Sequence, residues 1–284
     1  MVGEILSILR SFAVQTRIFA KECNIIAEGY VRSTAHHSLV HNDTVFSRFT
    51  SHFSLKSAAF TLAEVLITLG IIGVVAAMTM PSLVQNYQKK ALETGLKKSY
   101  SVLSQAVQRM IEEDGEIPSR ASVASTRANW IAFEKSLSQN LKIVKNCSVY
   151  GYSNKCISGD SFTSWFNSTY KSYNKKTLGT AGWWFDDGMY VLADGSFLFL
   201  DASVSNDVLL NIDINGSKAP NALGHDVFLF AIDHETGKLR PYGGETKDDT
   251  TQKLCDKNSN DGNNGLGCTA KAFENMDEYF KNLP

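Results

Sequence analysis

Residues 60–80 read FTLAEVLITLGIIGVVAAMTM, with Glu64 as the only charge. Twenty-one residues of this kind are enough for a helix to cross a hydrocarbon core. The stretch begins some sixty residues into the chain and runs straight into a second helical pattern, unlike the short apolar core of a secretory signal near an N-terminus. Beyond Pro81, the residues Val84, Tyr87, Ala91, Leu96, Tyr100, Leu103, Val107 and Met110 recur mostly three or four positions apart, which continues one helical stripe. Asp114-Gly115, with Pro118 beyond, marks the expected stop. The prediction is a single helix of about 54 residues, roughly 80 Å long, membrane-spanning in its first half and soluble in its second, with a kink at Pro81.

An acid four residues into an apolar span costs on the order of 2.5 to 3.5 kcal/mol at a bilayer centre and less at its edge. Glu64 is therefore read either as an interfacial carboxylate beside headgroups or as a group awaiting a cationic partner in an assembly. Gly70, Gly73, Ala76 and Ala77 give the helix a slim side suited to close packing. Lys89, Lys90, Lys97 and Lys98 follow the span while Arg48 and Lys56 precede it, so the charge count alone does not set an orientation.

The run Ala59-Phe60-Thr61-Leu62-Ala63-Glu64-Val65 resembles the processing site of type IV prepilins and type II secretion pseudopilins. The resemblance implies cleavage by a prepilin peptidase between Ala59 and Phe60, with N-methylation of Phe60; Ala59 stands where the family more often has Gly. It implies a subunit-assembly role for Glu64, paired with the Phe60 amine of a neighbouring subunit, and the family's helix-kinking proline at Pro81. It also implies a bacterial inner-membrane protein with one pass and its head in the periplasm or outside the cell. Its partners would be other pilin or pseudopilin subunits, the inner-membrane assembly platform and that platform's cytoplasmic ATPase. A second stretch, Asp213-Ile214-Asn215-Gly216 followed by Pro220-Asn221, Gly224 and Asp226-Val227-Phe228, resembles a pattern of pseudopilin-like heads. It tilts the reading toward a secretion pseudopilus over a type IV or competence pilus.

Residues 1–59 depart from the short basic leader of that family: they are long and carry Glu4, Glu22, Glu28 and Asp43. They are read as a leader or an extension upstream of the true start, with no Met between Met1 and Met78. A cytoplasmic extension is the alternative, with Ile5, Leu6, Ile8, Leu9 and Phe12 forming a turn or two of amphipathic helix.

The 284 residues are 43% apolar, enough to bury a real core, and 28 basic against 29 acidic side chains leave a charge of -1. No global field draws the chain to nucleic acid. Dividing the chain at Phe60 leaves Cys23 upstream and Cys147, Cys156, Cys255 and Cys268 downstream. Proximity favours disulfides between Cys147 and Cys156 and between Cys255 and Cys268, each worth about 3 kcal/mol, in an oxidising compartment. Four cysteines allow three pairings, and four free thiols remain an alternative; the spacings lack the tight pairs of structural zinc sites.

Residues 115–284 form the expected globular head. A helix over 122–140 presents Trp130, Phe133 and Leu137 on one face. Met189–Ala193 and Ser196–Leu200 flank Asp194-Gly195, a hairpin signal, and Val208–Ile214 and Val227–Ile232 make a second strand pair. The fold class is α+β, a long N-terminal helix packed on a small antiparallel β-sheet head, pilin-like by resemblance. Asp213, Asn215 and Asp226 are candidate Ca2+ ligands, three where that ion takes six to eight, and their plainer role is to shape a hairpin connection. Asp256, Asn258, Asn260 and Asp261 imitate the start of an EF-hand, but Asp261 stands where its glycine belongs. Gly182-Trp183-Trp184-Phe185 is either core or an aromatic binding surface, the latter pointing to an anchored adhesin or tip subunit.

Gly159-Asp160-Ser161-Phe162 looks like an esterase nucleophile block but has no D-x-x-H partner, and no metalloprotease, phosphate-loop or nucleophile-elbow motif occurs. The expectation is a structural subunit and not an enzyme.

Overall fold

The computed structural model describes residues 61–147, 156–159, 161–202, 206–243 and 254–284. Its first element, α1, runs Leu62–Asp114, 53 residues assigned helical without a break through Pro81. Thr61 caps its start, and Gly115 closes it at φ 70° with its amide on the Ile111 carbonyl at 2.8 Å. That φ is open to glycine at no steric cost, which is why the helix stops there.

Burial divides α1 in two. The side chains from Leu62 to Tyr87 are exposed or half-exposed; burial begins at Glu93 and recurs at Leu96, Ser99, Leu103, Ala106, Val107 and Met110. The second half is thus a core helix of the head. Gln108 Nε2 donates to the Gly237 carbonyl at 3.0 Å and Tyr100 Oη to the Leu239 carbonyl at 3.2 Å, which ties α1 to the far edge of the sheet.

The expected helix over 122–140 is two: α2, Arg120–Val123, and α3, Arg127–Gln139. The break lies at Thr126, whose hydroxyl accepts the Asn129 amide at 3.1 Å and so starts a new helix. Trp130, Phe133 and Leu137 of α3 are buried as expected.

The two expected strand pairs belong to one six-stranded antiparallel meander: β1 Ile143–Asn146, β2 Gly188–Leu192, β3 Phe197–Asp201, β4 Val208–Asp213, β5 Val227–Ile232 and β6 Leu239–Pro241, in that spatial order. The Asp194-Gly195 hairpin joins β2 to β3, and β4 pairs β5 from Val208↔Ile232 to Asp213↔Val227. Every residue of β4 and β5 is buried, because both faces of the sheet are covered. One face (Leu198, Leu200, Leu210, Ile212, Phe228, Phe230) packs on α1, α3 and two C-terminal helices, α5 Cys268–Glu274 and α6 Met276–Lys281. The other (Met189, Phe199, Leu209, Leu229) packs on α4, Phe162–Thr169, and the aromatic cluster Phe166, Tyr170 and Phe185. The head is therefore α+β in three layers.

Candidate functional site

The apolar half of α1 is long and apolar enough to span a membrane, and none of its most apolar 18-residue window is buried. Leu66, Ile67, Leu69, Ile71 and Ile72 are each about three-fifths exposed, between 60 and 63%. An uncovered apolar surface of this size needs a non-aqueous partner. At its start Thr61 and Glu64 form a capping box, Thr61 N donating to Glu64 Oε2 at 2.9 Å and Glu64 N to Thr61 Oγ1 at 3.3 Å. Gly70 and Gly73 have no atom within 4 Å of where a Cβ would stand. Ala59, Phe60 and Cys23 lie outside the described residues.

The β4–β5 connection brings Asp213, Asn215 and Asp226 together. Asp213 Oδ2 accepts the Tyr170 hydroxyl at 2.7 Å and Oδ1 the Asn215 amide at 3.2 Å. Asp226 accepts the Asn221 amide at 2.7 Å on Oδ2 and the Ala222 amide at 2.8 Å on Oδ1. Burial pushes the Asp226 carboxyl up to about 6 despite those amides. Burial and then the Asp226 charge push Asp213 up as well. The set braces the loop: all four carboxylate oxygens accept hydrogen bonds from the chain, and the three side chains are fewer than the six to eight oxygens Ca2+ takes. Gly216 sits at φ 65°, and a Cβ there would meet the Gly195 carbonyl oxygen at 2.2 Å. That glycine lets the loop lie flat against the β2–β3 hairpin.

Two disulfides are present, Cys147–Cys156 with Cα atoms 5.7 Å apart and Cys255–Cys268 with Cα atoms 4.9 Å apart. Residues 148–155 of the first loop lie outside the described residues. In the second, the acids serve the loop itself: Asp256 Oδ1 accepts the Asn258 amide at 2.9 Å, and Asp261 Oδ1 accepts the Asn263 amide at 2.8 Å.

A family model described as "Family of unknown function (DUF6613)" matches residues 82–275. The chain belongs to the DUF6613 family. No curated protein and no solved structure matches it. The DUF6613 match begins one residue past Pro81 and covers the second part of α1 and nearly all of the head.

Within that DUF6613 region the aromatics divide between core and surface. Phe162, Phe166, Tyr170 and Phe185 are buried, and Phe166 stacks on Phe185 at 4.3 Å between centroids. Trp184 meets Tyr242 edge-on at 5.8 Å, whereas Trp183 is 64% exposed. Of the block that looks like an esterase nucleophile, Ser161 is the N-cap of α4 and accepts the Ser164 amide at 3.4 Å, Phe162 is core, and Asp160 lies outside the described residues.

Sequence reading did not single out one cluster of acids. Asp186, Asp187 and Asp201 place carboxylate oxygens within 4.8 Å of one another. Burial, then the neighbouring Asp187 charge, pushes Asp186 up to about 6. Glu134 of α3, which accepts the Tyr190 hydroxyl at 3.0 Å, is also raised, by burial and then partly by Asp187. The adjacent acids at 186 and 187 were visible in the chain; their approach to Asp201 follows from the β2–β3 register, Gly188 pairing with Leu200, at the end of the hairpin far from its Asp194-Gly195 turn.

Proposed function

We propose that this chain is a pilin-like structural subunit, cut by a prepilin peptidase between Ala59 and Phe60, methylated at Phe60, and assembled with other such subunits into a type II secretion pseudopilus. The observation that carries the reading is the division of α1: one unbroken helix whose first half is apolar and uncovered and whose second half is the core of an α+β head. An anchor and a head sharing one rigid rod suit a subunit drawn from a bilayer into a fibre, where neighbouring rods replace lipid. Before assembly the subunit sits once-through in a bacterial inner membrane, with its head on the outer side, where both disulfides are stable. The assembly platform and its cytoplasmic ATPase supply the work. In the fibre the Glu64 carboxylate meets the Phe60 amine of the next subunit, and a register that leaves the acid unpaired in apolar surroundings is rejected.

A second reading, a type IV or competence pilus subunit or an anchored tip adhesin, is favoured by one observation: the exposed ring of Trp183 on the head. Cell fractionation followed by shearing tests the first reading. The full chain should enter the membrane fraction, resist high-salt and alkaline extraction, and appear in a sheared fibre fraction only when the assembly platform is coexpressed. A chain recovered in the soluble fraction would remove the proposal.

A further inference from the structure

A groove of about 430 Å3 runs between the outer face of α1 and the β1–β2 end of the sheet. Val102, Ala106, Leu141 and Leu192 line it with apolar surface, and Val102 is 40% exposed. Lys98, Arg109 and Lys142 stand on its rims, with Asp194 as the one acid in its lining. Lys98 and Asp194 pair at 2.8 Å and cancel, which leaves Arg109 and Lys142, both exposed and in no ion pair among the described residues. Against those two cations the chain sets one acid at the groove's edge, Glu113, which accepts the Asn140 side-chain nitrogen at 3.0 Å.

The end of α1 carries the opposite charge. Glu112, Glu113, Asp114 and Glu116 are all exposed and form no ion pair among the described residues. Glu113 and Asp114 accept hydrogen bonds from Asn140 and Ser136, whereas Glu112 and Glu116 accept none from any described side chain. At about 100° per residue these two point about 120° and 80° away from Ala106 on the groove floor, so acids and groove occupy different flanks of one helix. A copy lying alongside can therefore set its acids in the groove. Groove against groove would set Arg109 and Lys142 against their own kind. Glu112 and Glu116 follow Arg109 by three and seven residues, so a neighbour lowered by about 5 to 10 Å brings its acids level with that guanidinium. A stagger of four residues, about 6 Å, also brings Glu64 level with the next copy's Phe60.

We propose that this groove takes the acidic end of α1, Glu112 and Glu116, from a second copy of the chain, in a contact that repeats from head to head along a fibre. The proposal rests on the reading of the chain as a fibre subunit and adds a contact between heads to the Glu64 and Phe60 pair between anchors. Two different flanks meet, so the contact is heterologous and leaves each copy a free flank for the next, as an open fibre needs. Covering Val102 and the apolar floor beside it supplies the attraction. Exposed ion pairs contribute little by themselves and act on register and on the choice of partner.

Charge reversal and its compensation test this in the full chain coexpressed with the assembly platform. Arg109→Glu with Lys142→Glu, and separately Glu112→Lys with Glu116→Lys, are expected to lower the sheared fibre fraction several-fold, while the four substitutions together restore it. A chain with Lys142→Cys and Glu116→Cys should cross-link under oxidation into a ladder of multimers in the fibre. Membrane insertion and melting temperature are expected to match the wild type, since all four side chains are exposed. Wild-type fibre yield in both reversed chains, or no ladder, overturns the contact and leaves the fibre reading standing. Two weakened chains that the fourfold variant does not restore, or cross-linking that stops at dimers, overturn it as well. A wild-type chain that forms no fibre overturns the fibre reading and this contact together.

Discussion

Thr61 and Glu64 hold each other's backbone at the start of α1, the Thr61 amide donating to the Glu64 carboxylate at 2.9 Å and the Glu64 amide to the Thr61 hydroxyl at 3.3 Å. The carboxylate is therefore held at the mouth of the helix, where a neighbour's amine could replace the Thr61 amide. Glu64→Ala removes one cap, worth about 1 kcal/mol at a helix end, and leaves the head untouched, since burial in α1 begins only at Glu93. The variant is expected to insert in the membrane and to unfold at the wild-type temperature by calorimetry, yet to be missing from the sheared fibre fraction. Normal incorporation would remove the role given to Glu64.

The glycines of α1 and of the head should respond in opposite ways to added methyl groups. Gly216→Ala forces a left-handed residue, costing about 1 to 3 kcal/mol, before the 2.2 Å approach to the Gly195 carbonyl is counted. Denaturant titration should show at least that loss. Gly70→Ala meets nothing within 4 Å in the single chain and favours helix by up to about 1 kcal/mol. The isolated subunit should be unharmed, and fibre yield should fall if helices pack on that side.

The Cys255–Cys268 bond fastens α5 beside the sheet, where a Cβ at Gly224 would lie 2.8 Å from the Cys268 Cβ. Replacing both cysteines by Ser is expected to cost about 2 to 4 kcal/mol of head stability, the amount typical of a native disulfide. Urea denaturation of the variant against the wild type, both without reductant, should show that loss, and reductant, which also opens Cys147–Cys156, should cost the wild type more. No difference would mean the α5–β5 contacts hold without it.

Two groups give the head opposite pH dependences. Asp186 has a folded pKa raised to about 6 against an ordinary 3.8, so the fold holds its proton better than the unfolded chain does. That contribution is present below pH 4 and is lost as pH rises toward 6. His225 is lowered from 6.5 to about 4, so its contribution is present above pH 6.5 and is lost as pH falls toward 4. Asp186→Asn should therefore raise the melting temperature at pH 7 relative to pH 4, and His225→Gln should flatten the loss on the acid side. Differential scanning calorimetry from pH 4 to pH 7.5 checks both signs.

The long helix was readable because its signals are local: an apolar run, a three-and-four stripe, and Asp114-Gly115 at its end, where the structure ends α1. The Asp194-Gly195 hairpin was readable for the same reason. The break before Thr126 was not, because the apolar spacing of Trp130, Phe133 and Leu137 continues smoothly upstream and only the cap geometry shows the restart. β1 and β6 were missed because they are short edge strands, and the pattern IVKN buries no face. β4 and β5 are buried on both sides, so their sequences show no alternation from which a second aromatic layer could be inferred. Asp213, Asn215 and Asp226 were found together from one motif, whereas the approach of Asp186 and Asp187 to Asp201 follows from the β2–β3 register at the end of the hairpin far from its turn.

Intact-mass and N-terminal peptide mass spectrometry of the protein purified from cells with and without a prepilin peptidase tests the central claim most directly. The account predicts that the peptidase-positive chain begins at Phe60 with a methylated amine, and that the peptidase-negative chain retains Ala59. A chain with the same N-terminus in both cells, or a mature start at any residue other than Phe60, would contradict it.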